Sequence, residues 1–155
     1  MKFTRENVLC IYEILTKTTG GTVGVRDEGL LLSALEAPYQ TFGGVELFPT
    51  ILEKAVRLGY GLVANHPFID GNGRTGRLLL NLDLIQNGYP AINVKFTDRK
   101  KYYAAFDEFY RNNNAEMMIT LVADYVIERL EQYLEILDWG ELLWIHLVKK
   151  NTITN

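Results

Sequence analysis

Cysteine is almost missing from this chain: Cys10 is the only one among 155 residues. That excludes an internal disulfide and a cysteine-built zinc site, and it suits a reducing compartment, the cytoplasm. Cys10 itself reads as a core residue. No apolar run approaches the roughly 20 residues a membrane-spanning helix needs, and the start, Met1 to Asn7, enters an amphipathic segment rather than an apolar leader. No membrane partner is expected. Excess charge is also missing, since 16 Lys and Arg stand against 19 Asp and Glu for a net charge of -3. No overall field draws nucleic acid, and any polyanion must be met by a local site. Imidazole is confined to His66 and His146.

What is present fits one soluble domain, with 48% apolar and 23% charged residues. Thr4 can cap a first helix bearing Val8, Ile11, Tyr12 and Leu15, which the run Thr18 to Gly21 ends. A short helix from Glu28 carries Leu31, Ala34 and Leu35 as far as Pro38, and residues 40–49 read as a loop or small hairpin. Pro49 suits the first turn of a helix reaching Asn65, with Leu52, Val56, Gly59 and Val63 in one stripe. The spacing then predicts a buried helix over Arg74 to Asn87, a short extended piece at Ile92 to Val94, an aromatic helix from Asp98 and a last helix over Ala115 to Leu137. The fold class is all-α. Residues 1–137 form the domain, and 138–155 a helical tail packed on or extending it, in which Trp139, Leu142, Leu143 and Trp144 are expected to pack on the domain in preference to forming a dimer or antitoxin contact. His146 in that tail reads as structural or surface.

Chemistry concentrates in His66-Pro67-Phe68-Ile69-Asp70-Gly71-Asn72-Gly73-Arg74-Thr75-Gly76-Arg77. A helix here would place His66 and Asp70 on one face as a metal pair, but Pro67, Gly71 and Gly73 argue against it. As a loop, Gly71 and Gly73 let successive N–H groups point into one concavity, to which Asn72 adds an amide donor. The loop runs into the N-terminus of a helix, where unpaired N–H groups and the dipole favour an anion. Arg74 and Arg77 supply donor forks matched to phosphate oxygens. Asp70 offers a hard oxygen to Mg²⁺, an ion that binds through one or two carboxylates plus substrate phosphates and water. His66 is the candidate general base, and Phe68 anchors the loop in the core.

This segment resembles the Fic signature H-x-F-x-[DE]-G-N-G-R-x-x-R at every specified position. The resemblance implies a compact helical bundle with the loop and its following helix at the centre. It also implies transfer of AMP from Mg-ATP to a Ser, Thr or Tyr hydroxyl of another protein. On that likeness His66 is the base, Asp70 the Mg²⁺ ligand, Gly71, Asn72 and Gly73 the anion loop, and Arg74 with Arg77 the phosphate ligands. Arg26 to Pro38 with Thr41 to Gly44 is similar to the death-on-curing (Doc) branch, and residues 40–48 would be a flap that holds the target segment beside the site. Doc proteins resemble D-x-N-K-R in the loop and act as kinases; Gly73 stands where that lysine would be, which favours AMP transfer. A kinase, and a silent nucleotide-binding regulatory module, are the alternatives. Many Fic enzymes are silenced by [ST]-x-x-x-E-[GN], which this chain lacks. Inhibition is therefore expected from a separate antitoxin-like protein, as in a toxin–antitoxin pair, or from another copy of the chain.

Overall fold

Thr4 opens the first helix as its side chain predicts, accepting from the Asn7 N–H at 3.3 Å while Asn7 Oδ1 accepts from the Thr4 N–H at 3.4 Å. That reciprocal box starts α1 (Arg5–Thr19). The computed structural model describes residues 2–152, with side chains as far as Gly140. Asp27 caps α2 (Glu28–Glu36), and Pro38 sits in a single 3-10 turn after it. The flap is a two-stranded antiparallel hairpin, β1 (Thr41–Phe42) and β2 (Val45–Glu46), turned by Gly43 and Gly44, both at positive φ. Next come α3 (Ile51–Asn65), α4 (Asn72–Gln86), α5 (Arg99–Asn112) and α6 (Glu116–Thr152). Pro49 stays outside α3, because Thr50 and Glu53 form a capping box that fixes the start at Ile51. No strand forms at Ile92; its N–H donates instead to the Asn81 side chain at 2.7 Å.

The helix pair α3 and α4 forms the middle layer, which is why both are apolar on most sides. On one side α1, α2 and Phe68 bury Tyr12, Leu31, Leu58, Leu62 and Leu79. On the other, α5 and α6 bury Val56, Leu80, Leu84, Phe109, Met118 and Val122. The two helices nearly touch at Gly59 and Gly76. A Cβ on Gly76 would stand 2.4 Å from the Gly59 carbonyl oxygen and 2.5 Å from Val63 Cγ2. Gly76→Ala is thus expected to cost about 1–3 kcal/mol in a denaturant titration, since a backbone oxygen cannot swing aside. A loss below about 0.5 kcal/mol, the noise of neutral sites, would contradict this packing.

Two expectations are corrected. Cys10 is exposed: Val8, Tyr12 and Thr16, four residues apart, face the core, and Cys10 falls between them on the opposite side of the helix. Trp139 does not dock on the domain. It is 69% exposed, as α6 continues unbroken past Val126. The side chains of Leu142, Leu143, Trp144 and His146 lie outside the described residues. No described helix is long and apolar enough to cross a membrane.

Asp83, only 4% exposed in α4, carries a carboxyl pushed up by burial and only partly offset by the Asn87 amide and the Lys54 charge. The native state therefore holds that proton more tightly than the unfolded chain. Asp83 adds stability as pH falls through its folded pKa and detracts from it above. Asp83→Asn is expected to raise the thermal midpoint at neutral pH and to flatten its acid dependence; an unchanged or lower midpoint at neutral pH would contradict this.

Candidate active site

The His66 backbone ends α3 in the left-handed region, φ 51 and ψ 51, with its N–H on the Leu62 carbonyl. That bend lifts the imidazole out of the helix and into solvent. Three residues of the loop are then pinned to a segment far away in sequence. The Pro67 carbonyl accepts from the Arg26 and Asp27 N–H groups at 2.7 and 3.1 Å, and the Ile69 N–H donates to the Gly24 carbonyl at 2.9 Å. Between them Val25 and Phe68 form an antiparallel bridge. Phe68 is buried as expected, its ring stacked on Tyr12 with centroids 3.8 Å apart. The Tyr12 hydroxyl in turn accepts from the Gly24 N–H at 2.9 Å, so one ring and one hydroxyl brace both strands of the bridge.

Gly71 makes the second bend at φ 79 and becomes the N-cap of α4; any residue with a Cβ would be strained there and would approach Thr16 Oγ1 at 3.0 Å. The helix begins at Asn72, two residues before the expected Arg74, so both Asn72 and Gly73 belong to its first turn. Their N–H groups and that of Arg74 precede the first intrahelical bond, Thr75 N–H to Gly71 carbonyl, and face outward as helix-terminal donors.

Asn72 corrects one detail of the sequence reading. Its side-chain amide does not point into the anion loop. It is 5% exposed, accepts from the Phe68 N–H at 2.9 Å and donates to the Phe68 carbonyl at 2.8 Å. The same nitrogen lies 3.3 Å from His66 Nδ1. Because both Phe68 groups fix which end of the amide is which, it is the nitrogen end of Asn72 that faces the imidazole. Asn72 thus ties the imidazole to the first turn of α4, and what it offers an anion is its backbone N–H.

The arginines part company. Arg74 Nη1 donates to the Gly20 carbonyl at 2.6 Å and the Thr19 carbonyl at 3.2 Å, with a further short contact to the Thr19 hydroxyl. Its Nη2 reaches Asp70 Oδ2 at 3.3 Å. It closes the end of α1 onto the loop. Arg77 is exposed, makes no ion pair among the described residues, and lies beside Gly73, 3.4 Å from where a Cβ would sit. Behind it a cavity of about 130 Å³ is lined by Tyr60, Asn81 and Val94; burial pushes the Tyr60 hydroxyl up, against the nearby Arg77 charge.

Asp70 Oδ1 accepts from the Gly71 N–H at 2.6 Å, and its side chain is half exposed. It is the lone carboxylate of the loop, and no group of three or more His, Cys, Asp or Glu among the described residues could hold a metal. Such a donor set fits an ion carried mainly by substrate phosphates. Arg26 and Gly24 carry no local sign in the sequence that they support the site. Only the polar tip of Tyr12 on an otherwise apolar stripe hinted at a partner.

Comparison with known proteins agrees with this architecture. The Fic/DOC family model matches residues 2–84, more than half of the chain. The chain is similar to the protein adenylyltransferase Fic of Drosophila persimilis, with 36% identity over 117 residues, 74% of this chain and 22% of that protein. Its counterpart in Drosophila melanogaster is 34% identical over 111 residues, 72% of this chain and 22% of that protein. The chain therefore spans about a fifth of the length of these relatives. Among solved structures, Fic-1 from C. elegans superposes with a TM-score of 0.68 at 22% identity, covering 86% of this chain and 43% of that one, a likeness of fold. On the extent of the family match, this chain belongs to the Fic/DOC family.

Proposed function

We propose that the chain is a protein adenylyltransferase, transferring AMP from Mg-ATP to a Ser, Thr or Tyr hydroxyl of another protein. The observation that carries this is the 3.3 Å contact between Asn72 Nδ2 and His66 Nδ1, which sets an imidazole at the opening of a helix whose first N–H groups are free. His66 takes the proton of the acceptor hydroxyl as its oxygen bonds to the α-phosphorus, and the bond from that phosphorus to pyrophosphate breaks. The N–H groups of Asn72, Gly73 and Arg74 hold phosphate oxygens, with the dipole of α4 behind them. Arg77 binds the outer phosphates. Arg74, named by the sequence as a second phosphate ligand, has its Nη1 committed to the end of α1 and acts mainly by fixing Asp70. Asp70 would hold Mg²⁺, an ion that would supply charge neutralisation at the phosphates and leaving group.

Names of the relatives support AMP rather than γ-phosphate transfer, and so does Gly73. A lysine there would begin with a Cβ already touching Arg77 Nη1 at 3.4 Å and would crowd the anion loop. The flap edge, with Phe42 and Val45 exposed, suits an added strand of the target. Restraint by a separate antitoxin-like protein or a second copy is consistent with these residues, which carry no inhibitory motif, and the lone cysteine suits a cytoplasmic location.

The experiment is incubation with Mg²⁺, a cell extract, and ATP labelled at either the α or the γ phosphate. Label from the α position alone on a protein band is the expected result. Label from the γ position alone establishes a kinase, and nucleotide binding with neither label establishes a silent module.

A further inference from the structure

Beside the flap lies a cavity of about 210 Å³ that contains one cation and no carboxylate. Ala34, Ala37 and Gly61 line it with little bulk, and Gln40, Asn65 and Asn113 give it neutral polar groups. The cation is Arg57 of α3. Its guanidinium is held between two rings, 5.3 Å from the centroids of Phe48 and of Phe109, and Nη1 donates to Asn113 Oδ1 at 2.5 Å. Nε is buried without a hydrogen-bond partner. No carboxylate among the described residues pairs with it. A desolvated charge is costly when unpaired. Two aromatic faces offset part of that cost, and an incoming anion would offset the rest.

The position of the cavity narrows the choice of anion. Gln40 leads directly into β1, its carbonyl accepting from the Leu47 N–H at 2.9 Å to close the base of the hairpin. Phe48, the ring over Arg57, leaves the hairpin on the other side. Asn65, on the opposite wall, immediately precedes His66. A chain lying along the flap with its hydroxyl at His66 would pass this mouth. The volume is below the roughly 300–1,000 Å³ of sites for whole small-molecule ligands, and it admits a single side chain.

Resting on the transferase reading above, we propose that this cavity receives the carboxylate of an Asp or Glu in the target segment that bears the acceptor hydroxyl. Arg57 is a specificity residue, selecting acceptors with an acidic neighbour. It takes no part in the bond-forming step.

Two peptides and acetate serve as probes: acetyl-Gly-Glu-Gly-Thr-Gly-amide, its Gln counterpart, and sodium acetate, each titrated into ¹⁵N-labelled protein while the Arg57 Nε–H resonance is followed. The Glu peptide is expected to shift that resonance and to bind about tenfold more tightly than the Gln peptide, the scale of one charge-assisted hydrogen-bonded contact. Arg57→Met, which keeps bulk between the two rings, should erase the difference. Ser33→Leu, at an exposed position on the cavity wall, should also erase it with an unchanged unfolding midpoint, which separates loss of the site from loss of the fold. Equal binding of the two peptides overturns the proposal. So does acetate binding as tightly as the Glu peptide, which would assign the cavity to a free small anion. Transfer from labelled ATP is measured on the same samples. Labelling of both peptides at equal rates leaves the transferase standing and removes the acidic preference. A selective Nε–H shift with no transfer to peptides or extract removes the transferase and, with it, the acceptor-selecting role.

Discussion

Replacement of His66 by asparagine is expected to slow transfer to a protein hydroxyl by about 10²–10⁴-fold, the range for losing a positioned proton acceptor, while nucleotide affinity holds. The choice of asparagine follows from the backbone. His66 stands in the left-handed region at φ 51, which asparagine adopts more readily than alanine. His66→Ala would therefore add strain to the loss of the ring, and comparison of the two variants separates backbone from chemistry. Affinity should hold because the phosphate donors are the N–H groups of α4 and the Arg77 fork, none of which His66 supports. Single-turnover transfer together with equilibrium nucleotide binding checks the point. A variant that transfers at the wild-type rate, or one that loses nucleotide binding as steeply as transfer, would show that His66 is not the base.

Asn72→Ala should have the largest effect on stability. The wild-type amide satisfies both backbone groups of the buried Phe68, and truncation leaves an N–H and a carbonyl without partners. At about 1–3 kcal/mol for each unsatisfied group, the expected loss is about 2–6 kcal/mol in chemical denaturation. Transfer should fall as well, since the imidazole loses its tie to α4. Asn72→Asp tests the same geometry more gently: it keeps an acceptor for the Phe68 N–H, loses the donor to the carbonyl, and sets a negative charge beside the phosphate site. An Asn72→Ala protein within about 0.5 kcal/mol of wild type, the usual range for neutral surface sites, would mean that water replaces the amide and the loop does not depend on it.

The helical order was readable because it rests on local signals. Thr4, the Gly pair at 20 and 21, Pro38, Gly88 and the Asn run at 112 to 114 each act within a turn of the chain, and the all-α class follows from the spacing between them. The motif was readable for a different reason: an imidazole, a carboxylate and two guanidinium groups among glycines satisfy no ordinary packing need. What was hidden depended on distant partners. Nothing near Arg74 signals that its fork closes the end of α1, since Thr19 and Gly20 lie more than fifty residues away. The inward turn of the Asn72 amide required knowing that Phe68 would be buried with two backbone groups to satisfy. Nothing within a helical turn of Arg57 signals that Phe48 and Phe109 lie against its guanidinium. The exposure of Trp139 was not legible, because composition marks it as apolar but does not show whether the helix that carries it will bend back.

The most direct test of the account is a backbone amide NMR titration of the protein with Mg²⁺ and a non-hydrolysable ATP analogue. The account predicts the largest shifts at the amides of Asn72, Gly73 and Arg74, with the His66 ring responding and Arg77 required for full affinity. Shifts centred instead on the roughly 630 Å³ groove between α5 and α6, lined by Lys100, Lys101, Met117 and Leu121, with the motif amides unmoved, would contradict it.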